Sequence, residues 1–237
     1  MEWLLVSLIV FFAIFTQSLT GFGLALVSMP LLSALLGVQT AAPLVALFGL
    51  LAEVILLFYY REAVNVRVIW RLIVASMIGV PIGVLVIRSL DEAVLLTALG
   101  VIVAGYALYA LLKLRLPAVN GPVWAYGVGF VAGILGGAYN TAGPPVIVYG
   151  NCRGWRPDEF KGNLQGFFLL TGVIVLISHA LNGNYNGEVL RYGLLAVPAV
   201  VAGLVAGLGL SKRVSAAAFR TIVLWLLLVL GVWLVVG

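Results

Sequence analysis

Charged residues are scarce in this 237-residue chain, with Asp, Glu, Lys and Arg together making up 9% of it. Soluble proteins carry about 25%, so a water-exposed globular domain is excluded, and the longest polar link, of about ten residues, leaves no room for one. A single cysteine, Cys152, excludes an intramolecular disulfide and a thiolate metal cluster. His179 is the only histidine. No pair of carboxylates lies inside an apolar run, and no Gly-rich loop is followed by Lys-Ser or Lys-Thr. Arg153 to Glu159 is a short basic loop with no nucleotide signature. No enzyme constellation emerges, and neither a metal nor a cofactor is called for. Basic patches interleaved with aromatics are also missing, so nucleic acid is not an expected partner.

What is present is apolar. Hydrophobic residues make up 64% of the chain, and the mean hydropathy is +1.21. Apolar segments fall at about 3–37, 40–60, 67–87, 93–112, 122–151, 159–181, 189–210 and 216–236; those of about 20 residues match one helical crossing of a hydrocarbon core of roughly 30 Å. The partner this implies is the lipid bilayer. Met1-Glu2-Trp3 opens directly onto the first apolar run, without a basic leader or a small-residue cleavage site, and reads as the start of a membrane segment.

Two segments, about 35 and 30 residues long, are broken by glycine and proline, and are too long for one crossing and short for two. The first break is Gln17-Ser18-Leu19-Thr20-Gly21-Phe22-Gly23, with Pro30 following; the second runs from Gly136 to Pro145. Interrupted hydrophobic segments at corresponding positions of two halves point to the substrate site of a secondary transporter. Each is expected to be a helical hairpin or a pair of half-helices folding back within the bilayer.

Internal similarity supports two halves. Gly79-Val80-Pro81-Ile82-Gly83 leading to Arg88 matches Gly203-Leu204-Val205-Ala206-Gly207 leading to Lys212 in spacing, and both carry the small-xxx-small pattern that lets helices approach closely. Basic residues cluster at Arg61/Arg67/Arg71, Lys113/Arg115, Arg153/Arg156/Lys161 and Lys212/Arg213/Arg220, whereas Arg88–Glu92 and the 179–191 link are poor in positive charge. All four basic clusters reach the cytoplasmic side if the segment at 122–151 enters and returns, and by analogy the first broken segment is expected to return too, placing both termini outside. Three plain crossings then follow each broken element and the halves are inverted. The expected fold is all-α: one polytopic membrane domain of two inverted repeats, about 1–115 and 120–237, each a broken or re-entrant element followed by three transmembrane helices.

In such a repeat the two broken tips are expected to point at each other near the midplane. Helix N-termini offer free N–H groups and a positive dipole end, which suits a small anion. The expected site residues are Gln17, Ser18, Thr20, Gly21 and Gly23 at the first break and Asn140, Thr141 and Gly143 at the second, with Asn163 and Gln165 on the next segment. Lys161 is a candidate for attracting the anion or for anchoring at the interface. Glu53 is an intramembrane carboxylate and the candidate for proton coupling. His179 reads as interfacial, and Trp3, Tyr59, Tyr60, Trp70, Trp124 and Trp155 read as an aromatic belt.

The stretch Thr20 to Leu32, the stretch Tyr139 to Tyr149 with its paired prolines, and Phe160 to Leu164 resemble motifs of the sulfite exporter TauE/SafE family, the toluene sulfonate uptake permease group, and the resemblance covers essentially the whole chain. The chain departs from it at Asn140 and Ala142, where Gly is usual, and at Lys161, where Arg is frequent. The resemblance implies movement of sulfite, sulfonate or sulfocarboxylate anions across the bacterial inner membrane. The expected activity is secondary transport of such anions by alternating access; the alternatives are an anion channel, which would not accumulate its cargo, and a non-transporting structural membrane subunit, which would bind no anion.

Overall fold

Peptide groups left unpaired in hydrocarbon are not tolerated, so apolar runs of this length must form helices. The computed structural model bears this out over its described residues, 2–114, 116–211, 213 and 215–236, whose regular elements are all helical. Arg115 and Lys212, two of the basic residues used to orient the chain, lie outside that set. The elements are α1 (Glu2–Thr20), α2 (Leu24–Leu36), α3 (Val38–Tyr60), a 3-10 turn (Arg61–Ala63), α4 (Val66–Ser89), α5 (Glu92–Leu111), α6 (Pro122–Tyr139), α7 (Gly143–Cys152), α8 (Pro157–Leu181), α9 (Gly187–Leu210) and α10 (Ala216–Val236). All but α2 and α7 are long and apolar enough to cross a bilayer, which makes eight candidate spans.

The broken segments resolve into unequal pairs. α1 has 19 residues and α6 has 18, about 28 Å of helix each. α2 has 13 and α7 has 10, about 20 and 15 Å, too short to cross. In each pair the short helix packs back against the long one.

Local chemistry sets the ends. Glu92 at the start of α5 accepts a hydrogen bond from Val38 N–H at 3.0 Å, placing a carboxylate at the N-terminus of α3. Asn186 caps α9 by accepting from Val189 N–H at 2.9 Å. Pro122, Pro144, Pro145 and Pro157 occupy first turns, where the missing N–H costs nothing.

The chain divides into two compact units, 1–48 with 89–114 and 184–237, and 49–88 with 115–183. Each unit therefore draws on both sequence halves. In the first, α1 packs against α9, α5 against α10, and α2 against α1, α5 and α10. Gly203 and Gly207 of α9 let α1 approach: a Cβ on Gly203 would lie 2.8 Å from Phe11 O and 3.1 Å from Ile14 Cβ, and one on Gly207 would lie 2.5 Å from Ser18 Cβ. In the second unit, α4 meets α6 in the same manner. A Cβ on Gly79 would lie 2.9 Å from Ile134 N, and one on Gly83 would lie 2.1 Å from Ile134 O and 2.8 Å from Ala138 N. With lipid as apolar as leucine, close van der Waals packing of this kind is what holds membrane helices together.

Trp3, Tyr59, Trp70 and Trp124 are exposed, as a belt requires, whereas Trp155 is half-buried against Tyr149 and Phe160. His179 differs from its expected interfacial setting: it is fully buried in the last turn of α8.

Candidate functional site

At the first break α1 ends on Thr20 and α2 begins at Leu24, and the chain turns through Gly21 (φ 84°) and Gly23 (φ 116°). Both values lie in the half of conformational space that only glycine enters freely. Gly21 N–H donates to Gln17 O at 2.7 Å, and Leu24 N–H donates to Gln17 Oε1 at 3.0 Å. One buried glutamine thus closes α1 and caps α2. The Thr20 hydroxyl lies 2.9 Å from Thr16 O and 2.6 Å from Phe22 O and donates to one of them at a time. Ser18 Oγ donates to Ile14 O at 2.8 Å, inside its own helix and at the seam with Gly207.

Between the two glycines, Phe22 is 7% exposed. Its ring meets Tyr106 of α5 edge-on at 6.1 Å and Arg220 of α10 at 5.1 Å. A cavity of about 10 Å³ is lined here by Thr16, Thr20, Phe22, Gly23 and Arg220, with α10 leucines and a valine behind.

At the second break Asn140 takes a left-handed conformation (φ 55°) and donates its N–H to Gly136 O at 2.8 Å. This is the single-bond left-handed helix cap, for which Asn is the common substitute for Gly. Thr141 N–H donates to Leu135 O at 3.2 Å. Ala142 is right-handed, so no glycine is needed there. Both departures from the family pattern are therefore compatible with the backbone. Pro144 and Pro145 remove two of the amide donors that α7 would otherwise present at its start. The burial order at positions 140–145 repeats that at 20–25: half-buried, buried, buried, half-buried, buried, half-buried.

The remaining expected residues lie in the second unit. Glu53 is buried, at 6% exposure. Asn163 and Gln165 are fully buried. Asn163 Oδ1 accepts from Asn65 N–H at 2.8 Å, and a Cβ on Gly162 would lie 2.5 Å from the Ala63 carbonyl, so the opening of α8 grips the 61–65 turn. Lys161 Nζ lies 5.6 Å from the Tyr60 ring centre. The second break instead meets α8 further along, where a Cβ on Gly143 would lie 3.4 Å from Phe168, and one on Gly136 would lie 3.7 Å from Thr171. The structure thus gathers the five first-break residues within the first unit and Asn140, Thr141 and Gly143 within the second, where Lys161 meets Tyr60 at the end of α3 and Asn163 holds the 61–65 turn.

Sequence reading missed Arg220 and Tyr106. The signal was available for Arg220, which is a lone cation inside the apolar run of α10. Nothing in the sequence marks Tyr106 as its neighbour.

The profile of the family described as sulfite exporter TauE/SafE matches residues 6–234. The chain is 28% identical over 228 residues to the probable sulfite/organosulfonate exporter TauE of Cupriavidus necator, an alignment covering 91% of this chain and 86% of that protein. No solved structure matches the chain.

Proposed function

Because the chain belongs to the sulfite exporter TauE/SafE family and carries eight candidate membrane spans, we propose that this multi-pass bacterial membrane protein moves sulfite or small organosulfonate anions by alternating access, and that it is built from two inverted repeats. The observation that carries the reading is the repetition of one design around the two breaks. Ile14 and Ser18 meet Gly203 and Gly207, just as Ile134 and Ala138 meet Gly79 and Gly83. Each seam ends one turn or less before a break, and the two breaks share a burial order. Each broken helix takes its close partner from the opposite half of the sequence, so neither half folds around its break alone.

In this reading the candidate anion contacts are the Thr20 hydroxyl and the backbone around Gly21 and Gly23 within the first unit, and Asn140, Thr141 and Gly143 within the second. Gln17 and Ser18 keep the first break in shape, since their mapped hydrogen bonds run to Leu24 and Ile14. Glu53 takes up and releases the coupling proton. It suits that role better than anion contact, because an ionised carboxylate repels a sulfonate.

Counterflow tests the proposal. Proteoliposomes preloaded with unlabelled methanesulfonate are expected to take up labelled methanesulfonate faster than empty ones, because a loaded carrier returns more readily than an empty one. Uptake indifferent to preloading is the behaviour of a channel and counts against alternating access.

A further inference from the structure

Arg220 stands near the start of α10, the helix end that already carries the positive pole of the dipole and is the less favourable place for a cation. Its charge is permanent. Its mapped contacts are the ring of Phe22 and the neighbouring Tyr106, with no carboxylate paired to it among the described residues. Arg220 Nε is buried without a hydrogen-bond partner among those residues. The same holds for the hydroxyl of Tyr106, itself only 5% exposed. The two groups lie side by side without closing a hydrogen bond of ordinary geometry. Two buried donors left without an acceptor beside a half-buried charge are costly, and one bound oxyanion satisfies both donors and faces the charge.

We propose that Arg220 and Tyr106 form the charge-compensating subsite for the sulfur oxyanion at the first break, an inference that rests on the transporter function proposed above. Arg220 Cζ lies over the Phe22 ring, a contact that offers its N–H groups no oxygen acceptor, and a guanidinium can pair bidentately with two oxygens of an SO3 group. The Tyr106 hydroxyl donates to an oxygen of the same group. The hydroxyls of Thr16 and Thr20 line the cavity beside them. That cavity, about 10 Å³, has room for about one water, so this conformation is the closed one. Phe22, carried between two glycines of positive φ, is the side chain whose displacement widens it. Of the amides at the start of α2, Leu24 N–H is already given to Gln17, and neutral amides supply no full charge to match the anion's.

A phospholipid headgroup offers the same oxyanion chemistry, so the test has two arms. Affinities for sulfite and methanesulfonate are measured on purified full-length protein carrying Arg220→Gln, Arg220→Lys or Tyr106→Phe. In parallel, retention of phosphatidylglycerol is measured by native mass spectrometry. Arg220→Gln is expected to weaken both anions by more than about 30-fold, Arg220→Lys by about 10-fold and Tyr106→Phe by about 3- to 10-fold, the range for losing charge-assisted and neutral hydrogen bonds. Tyr106→Phe removes one oxygen, so its unliganded melting temperature should match wild type, and it decides the matter if Arg220→Gln does not fold. Wild-type affinity in Tyr106→Phe and Arg220→Lys, with transport by wild type intact, overturns the subsite and leaves the transporter reading standing. Loss of phosphatidylglycerol retention with unchanged anion affinity overturns it in favour of a headgroup site. A wild-type protein that neither binds nor moves either anion overturns both.

Discussion

Replacing Gly83 with alanine probes the seam that positions the second break. The added Cβ would lie 2.1 Å from Ile134 O, 2.8 Å from Ala138 N and 2.9 Å from Ile134 C. All three are backbone atoms, so no rotamer change relieves the contact. α6 must retreat by about 1 Å, a gap that forfeits a quarter to a half of the dispersion energy of each atom pair along the seam. Overpacking costs roughly 1–3 kcal/mol where side chains can adjust; with rigid helices on both sides the upper end is expected, about 3 kcal/mol. At 2–4 °C per kcal/mol for a chain of this size, the melting temperature should fall by roughly 6–12 °C. Because Ala138 stands two residues before Asn140, transport should fall as well. The control is Gly127→Ala in α6, where a Cβ meets nothing within 4 Å; it should be neutral, or slightly stabilising through helix propensity. Thermal melting in detergent, followed by tryptophan fluorescence, reads both. Equal melting temperatures for the two variants would refute the seam.

At the second break, Asn140→Gly keeps the left-handed cap and should leave stability unchanged, whereas Asn140→Ala should cost about 1 kcal/mol from the same backbone angle; a melting comparison reads this, and anion affinity lost in both variants assigns the side-chain amide to the site. Glu92→Ala deprives Val38 N–H of its acceptor and removes a carboxylate from the α3 dipole, a loss of about 1 kcal/mol expected in the same melting assay. Glu53→Gln keeps the shape of a buried carboxyl and removes its proton exchange; exchange of labelled for unlabelled anion should persist while uptake driven by an imposed pH gradient is lost, and gradient-driven uptake at the wild-type rate would release Glu53 from coupling.

Hydropathy located every long helix, since depth in a bilayer is written in composition, and the glycines and prolines located both breaks. The Gly79–Gly83 and Gly203–Gly207 match was legible as spacing. What it packs against was not, because lipid-facing and protein-facing positions are both apolar and the direction of a helix face leaves little trace in such a run. The close partners, α9 for α1 and α4 for α6, lie in the opposite halves of the chain, and no local pattern encodes that exchange. Gln17 was legible as a polar residue at a break, but its use as a cap for α2 depends on a turn that only Gly21 and Gly23 permit. Asn140 was legible as a departure from a glycine-rich motif, and its backbone angle explains why it is admitted. The Arg220–Phe22–Tyr106 cluster joins three elements distant in sequence, and charge counting had assigned Arg220 to a basic loop.

Concentrative uptake tests alternating-access transport most directly. Proteoliposomes holding the purified protein are given labelled methanesulfonate or sulfite outside and an imposed pH gradient. Saturable accumulation inside to above the external concentration, collapsing when the gradient is dissipated, is the predicted result. Flux that rises linearly with concentration and stops when the two sides are equal, or no flux at all, would contradict it.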